Sequence, residues 1–446
     1  MSAHPFIPNT DEDRREMLAA LGINSVDALF ENIPQPVRDN YEPLGLEPLS
    51  EPELIQEMAT IAEGNLDPRD YISFLGGGVY DHFIPSVVGQ IISRSEFSTA
   101  YTPYQPEASQ GTLTWMFEYQ TMVAELTGME IANSSMYDGG SALAEAMLMA
   151  ERIRGAGAVL VGASVHPLYR RVVDTYAWAA GIEIAEIPFD EAGRLDREFI
   201  ARHGPQASGV LIQNPNFFGV VEDLLGLKKL LEDALLVVSA HPISLGMLKP
   251  PGAYGADIVV GEGQMLGNPL NYGGPLVGLF ATQKAFMRQL PGRIAGRTVD
   301  ADGKEGYVMA LQTREQHIRR ERATSNICTS QALVALAATV YLATLGKQGF
   351  QQLARLNLHK AHDLANRIEA LDGFSLYFQA PFFNEFAVRC AVDVDEVLET
   401  LQVHGILGGL PLGRYYDTLE DGLLIAVTEK RTIEELDRFV AVLSEV

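Results

Sequence analysis

From Ala158 to Val260 the chain repeats one pattern: a short, almost wholly apolar run, then a stretch of helical period. Ala158–Val161, Ile182–Ile187, Gly209–Gln213, Leu235–Ser239 and Asp257–Val260 read as strands, with helices predicted at Pro167–Ala180, Leu195–Arg202 and Leu224–Glu232. A strand without a polar face is buried on both faces, and strands separated by helices pair in parallel. The pattern therefore predicts an α/β domain around a mainly parallel sheet covered on both sides.

The flanking segments differ in texture. Residues 1–65 read as a helical arm: a helix from Thr10 or Asp11 to Leu21, a short one after Ser25, and a third opened by Ser50 and Glu53 at capping-box spacing. Helices are also expected over Thr112–Leu126 and from Gly140 or Ser141 to Gly155. Beyond a basic stretch at Thr313–Asn326, helices are predicted at Ser330–Leu345, Gln351–Leu371 and Val394–His404, and a last one starts at Ile433. Strands at Phe374–Phe378, Asn384–Ala391 and Leu423–Val427 complete a small α+β domain. The predicted division is 1–65 arm, 66–325 large domain and 326–446 small domain.

Charge and cysteine content narrow the function classes. A formal charge of −25 argues against nucleic acid and against anionic membrane surfaces. Cys328 and Cys390 form neither a disulfide framework nor a zinc motif, and no other metal motif is present. No run of signal-peptide character opens the chain, and none reaches 18 unbroken apolar residues, so a cytoplasmic location is expected.

Several short motifs bear on chemistry. Gly261–Gly267, GEGQMLG, follows a strand but misses the dinucleotide fingerprint by one residue, and Pro269, Gly273, Gly274 and Pro275 forbid the helix that fingerprint requires. Met136–Met147, MYDGGSALAEAM, places Asp138 or a glycine at a helix N-terminus that suits a phosphate, although an ordinary capped helix is the commoner meaning of such a stretch. His166 and His241 both follow strands and precede prolines, where a structural turn is the commoner use. The loop Ser98–Gly111 carries Tyr101, Tyr104, Gln105 and Glu107 on a backbone stiffened by Pro103 and Pro106, which suits a site wall or an interface. Arg314, Arg319, Arg320 and Arg322 read as a solvated face or as a grip on an acidic group.

Four longer strings carry a resemblance. EDRREMLAALGINSVDALFENIP, TAYTPYQPEASQGTL, ELTGMEIANSSMYDGGSALAEA and TREQHIRRERATSNICTSQAL occur in that order. They resemble the glycine cleavage system P-protein, and within it the N-terminal half that some bacteria and archaea make as a separate alpha subunit. The resemblance runs from about residue 5 to the end. It implies the aspartate-aminotransferase-like fold of the fold type I pyridoxal-phosphate-dependent transferases. It also implies an activity, that of glycine dehydrogenase (decarboxylating), an oxidoreductase by class: glycine is decarboxylated and its aminomethyl group passes to lipoylated H-protein.

That chemistry needs a lysine to hold the coenzyme aldehyde and an acid against the pyridine nitrogen. The resemblance places the lysine in the loop after the last central strand, where this chain has Gln264 or Met265; no lysine occurs between Lys249 and Lys284. It places the acid near the end of the preceding strand, where Val237–His241 has neither Asp nor Glu. The expectation is a non-catalytic copy that pairs with a beta subunit carrying pyridoxal 5'-phosphate. Gly139, Gly140 and Ser141 would then be a vestigial phosphate cup and His166 a vestigial ring-stacking position. Thr99, Tyr101, Tyr104 and Gln105 would complete the partner's glycine site from across an interface. Two alternatives stay open: an independent coenzyme-carrying decarboxylase or transaminase using Lys249 or Lys284, and a purely structural scaffold.

Overall fold

The computed structural model describes residues 6–42, 44–66, 70–155 and 157–446; residues 1–5, where the chain start was read, and 67–69, at the predicted start of the large domain, lie outside these. Contacts divide the chain into two units, Met1–Leu66 and Asp67–Val446. In the first, helices Asp11–Leu21 and Glu51–Ala62 open on capping boxes, Thr10 with Asp13 and Ser50 with Glu53. Gly22 ends the first helix in the left-handed region, φ 69°. The segment after Ser25 forms a 3-10 turn, Val26–Phe30. No described residue of this unit is buried.

The second unit is built on a seven-stranded sheet. Its spatial order is Ile131–Ala132, Gly278–Thr282, Ile258–Glu262, Leu235–Ala240, Gly209–Asn214, Val159–Gly162 and Ile184–Ile187. The last five pair in parallel, as the alternation predicts. Gly278–Thr282 runs against both neighbours, because a loop without a crossover helix returns the chain beside the strand it has just left.

Alternate residues of the central strands enter two separate cores. Val210, Ile212, Leu236, Val238 and Val259 pack with Leu113, Met116 and Val123 of helix Gln110–Thr127 and with Ala335, Ala338 and Tyr341. Leu211, Leu235, Val237, Ile258 and Val260 pack with Leu143, Met147, Val173 and Ala177 of helices Gly139–Arg154 and Pro167–Ala180. Burial on both faces is why these strands show no polar alternation.

Two sequence expectations need correction, and one element was not expected. The two helices predicted around 330–371 form one run, Ala332–Glu369, interrupted only at Gly346 (φ 57°, ψ −178°). The helix expected at Leu224–Glu232 is a single 3-10 turn, Leu227–Leu230; left-handed Gly226 (φ 75°) and Glu232 (φ 51°) bracket it and stop α-helical propagation. The hairpin Ile294–Val299 with Glu305–Ala310 was not foreseen. Toward the C-terminus an antiparallel sheet, ordered Phe374–Leu376, Glu385–Cys390, Gly422–Ala426 and Leu410–Pro411, has its own core around Phe386, Val397, Ile425 and Phe439.

The register brings the carboxyl ends of the parallel strands to one edge: Asn214 pairs with Ala240, and Ser239 with Val260. The turns carrying His166, His241 and Glu262–Met265 all leave from this edge, where open α/β sheets place ligands.

Candidate functional site: a cleft filled from within

Helix Gly139–Arg154 starts at this edge. Asp138 caps it by accepting from Ser141 N at 2.8 Å, and Ser141 Oγ accepts from Asp138 N at 3.3 Å. The N–H of Gly139, which would face a bound phosphate, donates instead to Glu262 Oε2 at 2.9 Å. The other carboxylate oxygen, Oε1, accepts from Gln264 N at 2.9 Å and Val277 N at 3.0 Å. Burial pushes Glu262 up to about 7, against the opposing pull of the bonds from Val277, Gly139 and Gln264. A side-chain carboxylate from the end of strand Ile258–Glu262 thus sits at the positive end of the helix, where an anion is favoured.

His166 begins helix Pro167–Ala180. Its Nδ1 accepts from Leu168 N at 3.1 Å, so Nε2 carries the proton and donates to Gly77 O at 2.6 Å. Burial lowers its pKa to about 4, which keeps the ring neutral. The Tyr169 ring stacks on it, with centroids 4.4 Å apart and planes at 17°. Tyr169 also covers the cup: a Cβ on Gly139 would lie 2.8 Å from its Oη, and one on Gly140 3.2 Å from its Cδ1. Tyr169 and Glu262 together make a ring contact to His166 and an anion contact to the helix.

The loop after the last parallel strand is equally occupied. Gln264 is buried and exchanges two bonds with the backbone of Tyr80: Tyr80 N donates to Oε1 at 3.0 Å, and Nε2 donates to Tyr80 O at 3.1 Å. Nε2 also donates to Asn268 O at 2.7 Å, so the amide has no free group to present. Met265 lines the remaining cavity with His166, Tyr169, Ser239, His241 and Glu262; its volume is about 30 Å3. His241 Nδ1 accepts from Ser244 N at 3.3 Å, and burial lowers its pKa to about 3.

The loop Thr99–Gln105 lies elsewhere. The pocket behind it shares no lining residue with the His166 cavity. Tyr101 is 89% exposed and Tyr104 51% exposed, while Pro103 between them is buried and anchors the turn. Thr99 Oγ1 donates to Ser95 O at 2.6 Å; Gln105 is exposed and makes no side-chain cap. The arginine cluster separates: Arg314 donates to Leu290 O and Gly292 O and Arg319 to Thr313 O, while Arg320 and Arg322 are exposed. Sequence reasoning missed Glu262 and Tyr169. A glutamate between glycines at the end of an apolar strand was the available signal.

Comparison with known proteins agrees with this architecture. The family model described as "Glycine cleavage system P-protein" matches residues 4–443. A Desulfitobacterium hafniense protein named "Probable glycine dehydrogenase (decarboxylating) subunit 1" is 50% identical over 444 residues, 99% of each chain. A crystal structure of glycine decarboxylase (P-protein) of the glycine cleavage system, in inhibitor-bound form, superposes with a TM-score of 0.90 at 44% identity, over 99% of this chain and 100% of that one. Alanine–glyoxylate aminotransferase from Nostoc sp. is similar in fold alone, with a TM-score of 0.59 at 20% identity over 90% of this chain and 97% of its own. The fold is that of the fold type I pyridoxal-phosphate-dependent transferases. The chain belongs to the glycine cleavage system P-protein family.

Proposed function

We propose that this chain is the alpha subunit of a glycine decarboxylase. With a beta subunit that carries pyridoxal 5'-phosphate, it decarboxylates glycine and passes the aminomethyl group to lipoylated H-protein, without holding the coenzyme itself. The observation that carries the reading is Glu262 on the Gly139 N–H. Pyridoxal phosphate does not fit these residues. Its phosphate position is taken by a carboxylate, its ring position by Tyr169, and its lysine position by Gln264 or Met265. The space left, about 30 Å3, is far below the ~300–1,000 Å3 of ordinary ligand sites. No step of the reaction is therefore assigned to this cleft.

The chain's own contribution is the exposed loop Thr99–Gln105, whose Tyr101 and Tyr104 would line the partner's glycine site. Support for a partner comes also from the N-terminal unit. Its helices expose Met17, Leu21, Leu54, Ile55, Met58 and Ile61 and bury no described residue within the unit, which is how a segment that covers another chain is built. An independent enzyme using Lys249 or Lys284 is disfavoured by geometry. Both lysines are exposed and neither lines the cleft; Lys284 follows Thr282, which pairs with Ile258 at the opposite sheet edge.

The test is glycine turnover by the reconstituted pair with H-protein. Tyr101→Phe and Tyr104→Phe together should lower kcat/KM by at least ~10-fold, the equivalent of about 1.4 kcal/mol. Unchanged turnover would leave the chain a scaffold without a share in the site.

A further inference from the structure

Behind the Thr99–Gln105 loop lies a cavity of about 190 Å3, and Arg293 forms part of its wall while being only 5% exposed. The guanidinium has no carboxylate partner among the described residues. Nη1 makes a long bond to Thr329 Oγ1 at 3.4 Å, the Tyr104 ring centroid is 5.9 Å from Cζ, and Nε is buried without a partner. Burying a cation without a counter-charge is strongly unfavourable, so such a site is built for an anion from outside.

A second positive element faces the same space. Ala332 and Leu333 line the cavity at the start of helix Ala332–Glu369, and no side chain caps that helix. Its first N–H groups and the positive end of its dipole are thus available to an anion. Arg293 is held ready by its backbone. Ser134 N donates to Arg293 O at 2.8 Å, and the preceding turn is clamped by Arg314, which donates to Gly292 O at 3.0 Å and to Leu290 O.

Size and charge select the ligand class. The volume is below that of nucleotide- or drug-sized sites. One guanidinium with one helix terminus balances a single negative charge, and the planar fork matches the two oxygens of a carboxylate. The rest of the wall carries no charged residue: apolar Trp115, Met116 and Leu336 alternate with hydroxyl groups such as those of Thr112 and Ser330. We infer that Arg293 and the N-terminus of helix Ala332–Glu369 bind the carboxylate of a small monocarboxylic acid in this cavity. The naming of that acid as glycine rests on the reading of the loop given above; the carboxylate site itself does not.

The experiment is calorimetric titration of the full chain, without its partner, with acetate, glycine and inorganic phosphate. Acetate and glycine should each bind at one site, more tightly than phosphate. Arg293→Gln should weaken both by at least 10-fold, and Arg293→Lys by less. Ala100→Trp, which fills the cavity mouth and leaves Arg293 in place, should abolish binding and serves if Arg293→Gln does not fold. Absence of carboxylate binding, binding unchanged in Arg293→Gln and Ala100→Trp, or tighter binding of phosphate would each overturn the site. Acetate binding without glycine binding would uphold the carboxylate site and overturn glycine as its occupant. Loss of acetate binding once the partner is added would show that an acidic side chain of the partner fills the cavity, and would overturn the small-molecule occupant. Turnover of the Tyr101 and Tyr104 variants judges the loop separately.

Discussion

Removing the carboxylate from the helix N-terminus is the perturbation whose consequences can be worked furthest. In Glu262→Ala, the N–H groups of Gly139, Gln264 and Val277 lose their acceptor together. Each buried donor left unpaired costs about 1–3 kcal/mol. Part of this is returned, because burial of the carboxylate is itself unfavourable, as its elevated pKa records. A net loss of about 3 kcal/mol at neutral pH follows. The vacated space adjoins the 30 Å3 cavity and exposes the helix terminus, so a small oxyanion can take the carboxylate's place. With a dissociation constant of about 1 mM, about 10 mM formate or phosphate would restore about 1.4 kcal/mol. The assay is thermal melting of wild type and variant across an anion titration. The variant should melt several degrees lower and recover with anion, while wild type should respond far less at this site. A variant that melts like wild type, or one whose deficit no anion relieves, would refute the reasoning.

Further outcomes follow from the same structure. Glu262 titrates near 7 in the folded chain against an ordinary value of 4.5, so between these the folded state binds more protons than the unfolded one. Its stabilising contribution is complete below the lower value and is lost as pH rises through the upper. Relative to Glu262→Gln, wild type should therefore lose about 3 kcal/mol between about pH 5 and pH 8, and a pH-independent difference in denaturant stability would contradict the assignment. Gln264→Leu removes both bonds to the Tyr80 backbone and should cost about 2–4 kcal/mol by chemical denaturation; a loss under about 0.5 kcal/mol would show that the amide is not holding that strand of loop. Gly219→Ala should yield little soluble protein, because φ is 80° and the new Cβ would lie 1.7 Å from Glu385 O; normal expression and melting would show that this backbone yields.

The parts of this structure legible in the sequence were those written in local pattern. Helix Pro167–Ala180 was placed at both ends because Pro167 opens it and Gly181, at φ 68°, closes it. The parallel strands were visible because burial on both faces leaves no polar residue to confuse the run. The hairpin at Ile294–Ala310 was not, since Gly296 and Arg297 interrupt the first strand and its far half is exposed; only Asp302–Gly303 marked the turn. That no lysine lies between Lys249 and Lys284, and no acid in Val237–His241, was legible. The contacts made there were not, because Glu262 meets Gly139 across 123 residues and Gln264 meets Tyr80 across 184. Arg293 was hidden for the same reason: its significance lies in the carboxylate it lacks, and neighbours in sequence do not reveal that.

One measurement bears most directly on the claim that this cleft is closed to the coenzyme. The alpha–beta pair is reconstituted with pyridoxal phosphate, reduced with borohydride, and digested for peptide mass mapping. Stoichiometric pyridoxyl-lysine on the beta subunit and none on this chain is the result the proposed function predicts. A stoichiometric pyridoxyl adduct on a lysine of this chain would contradict it.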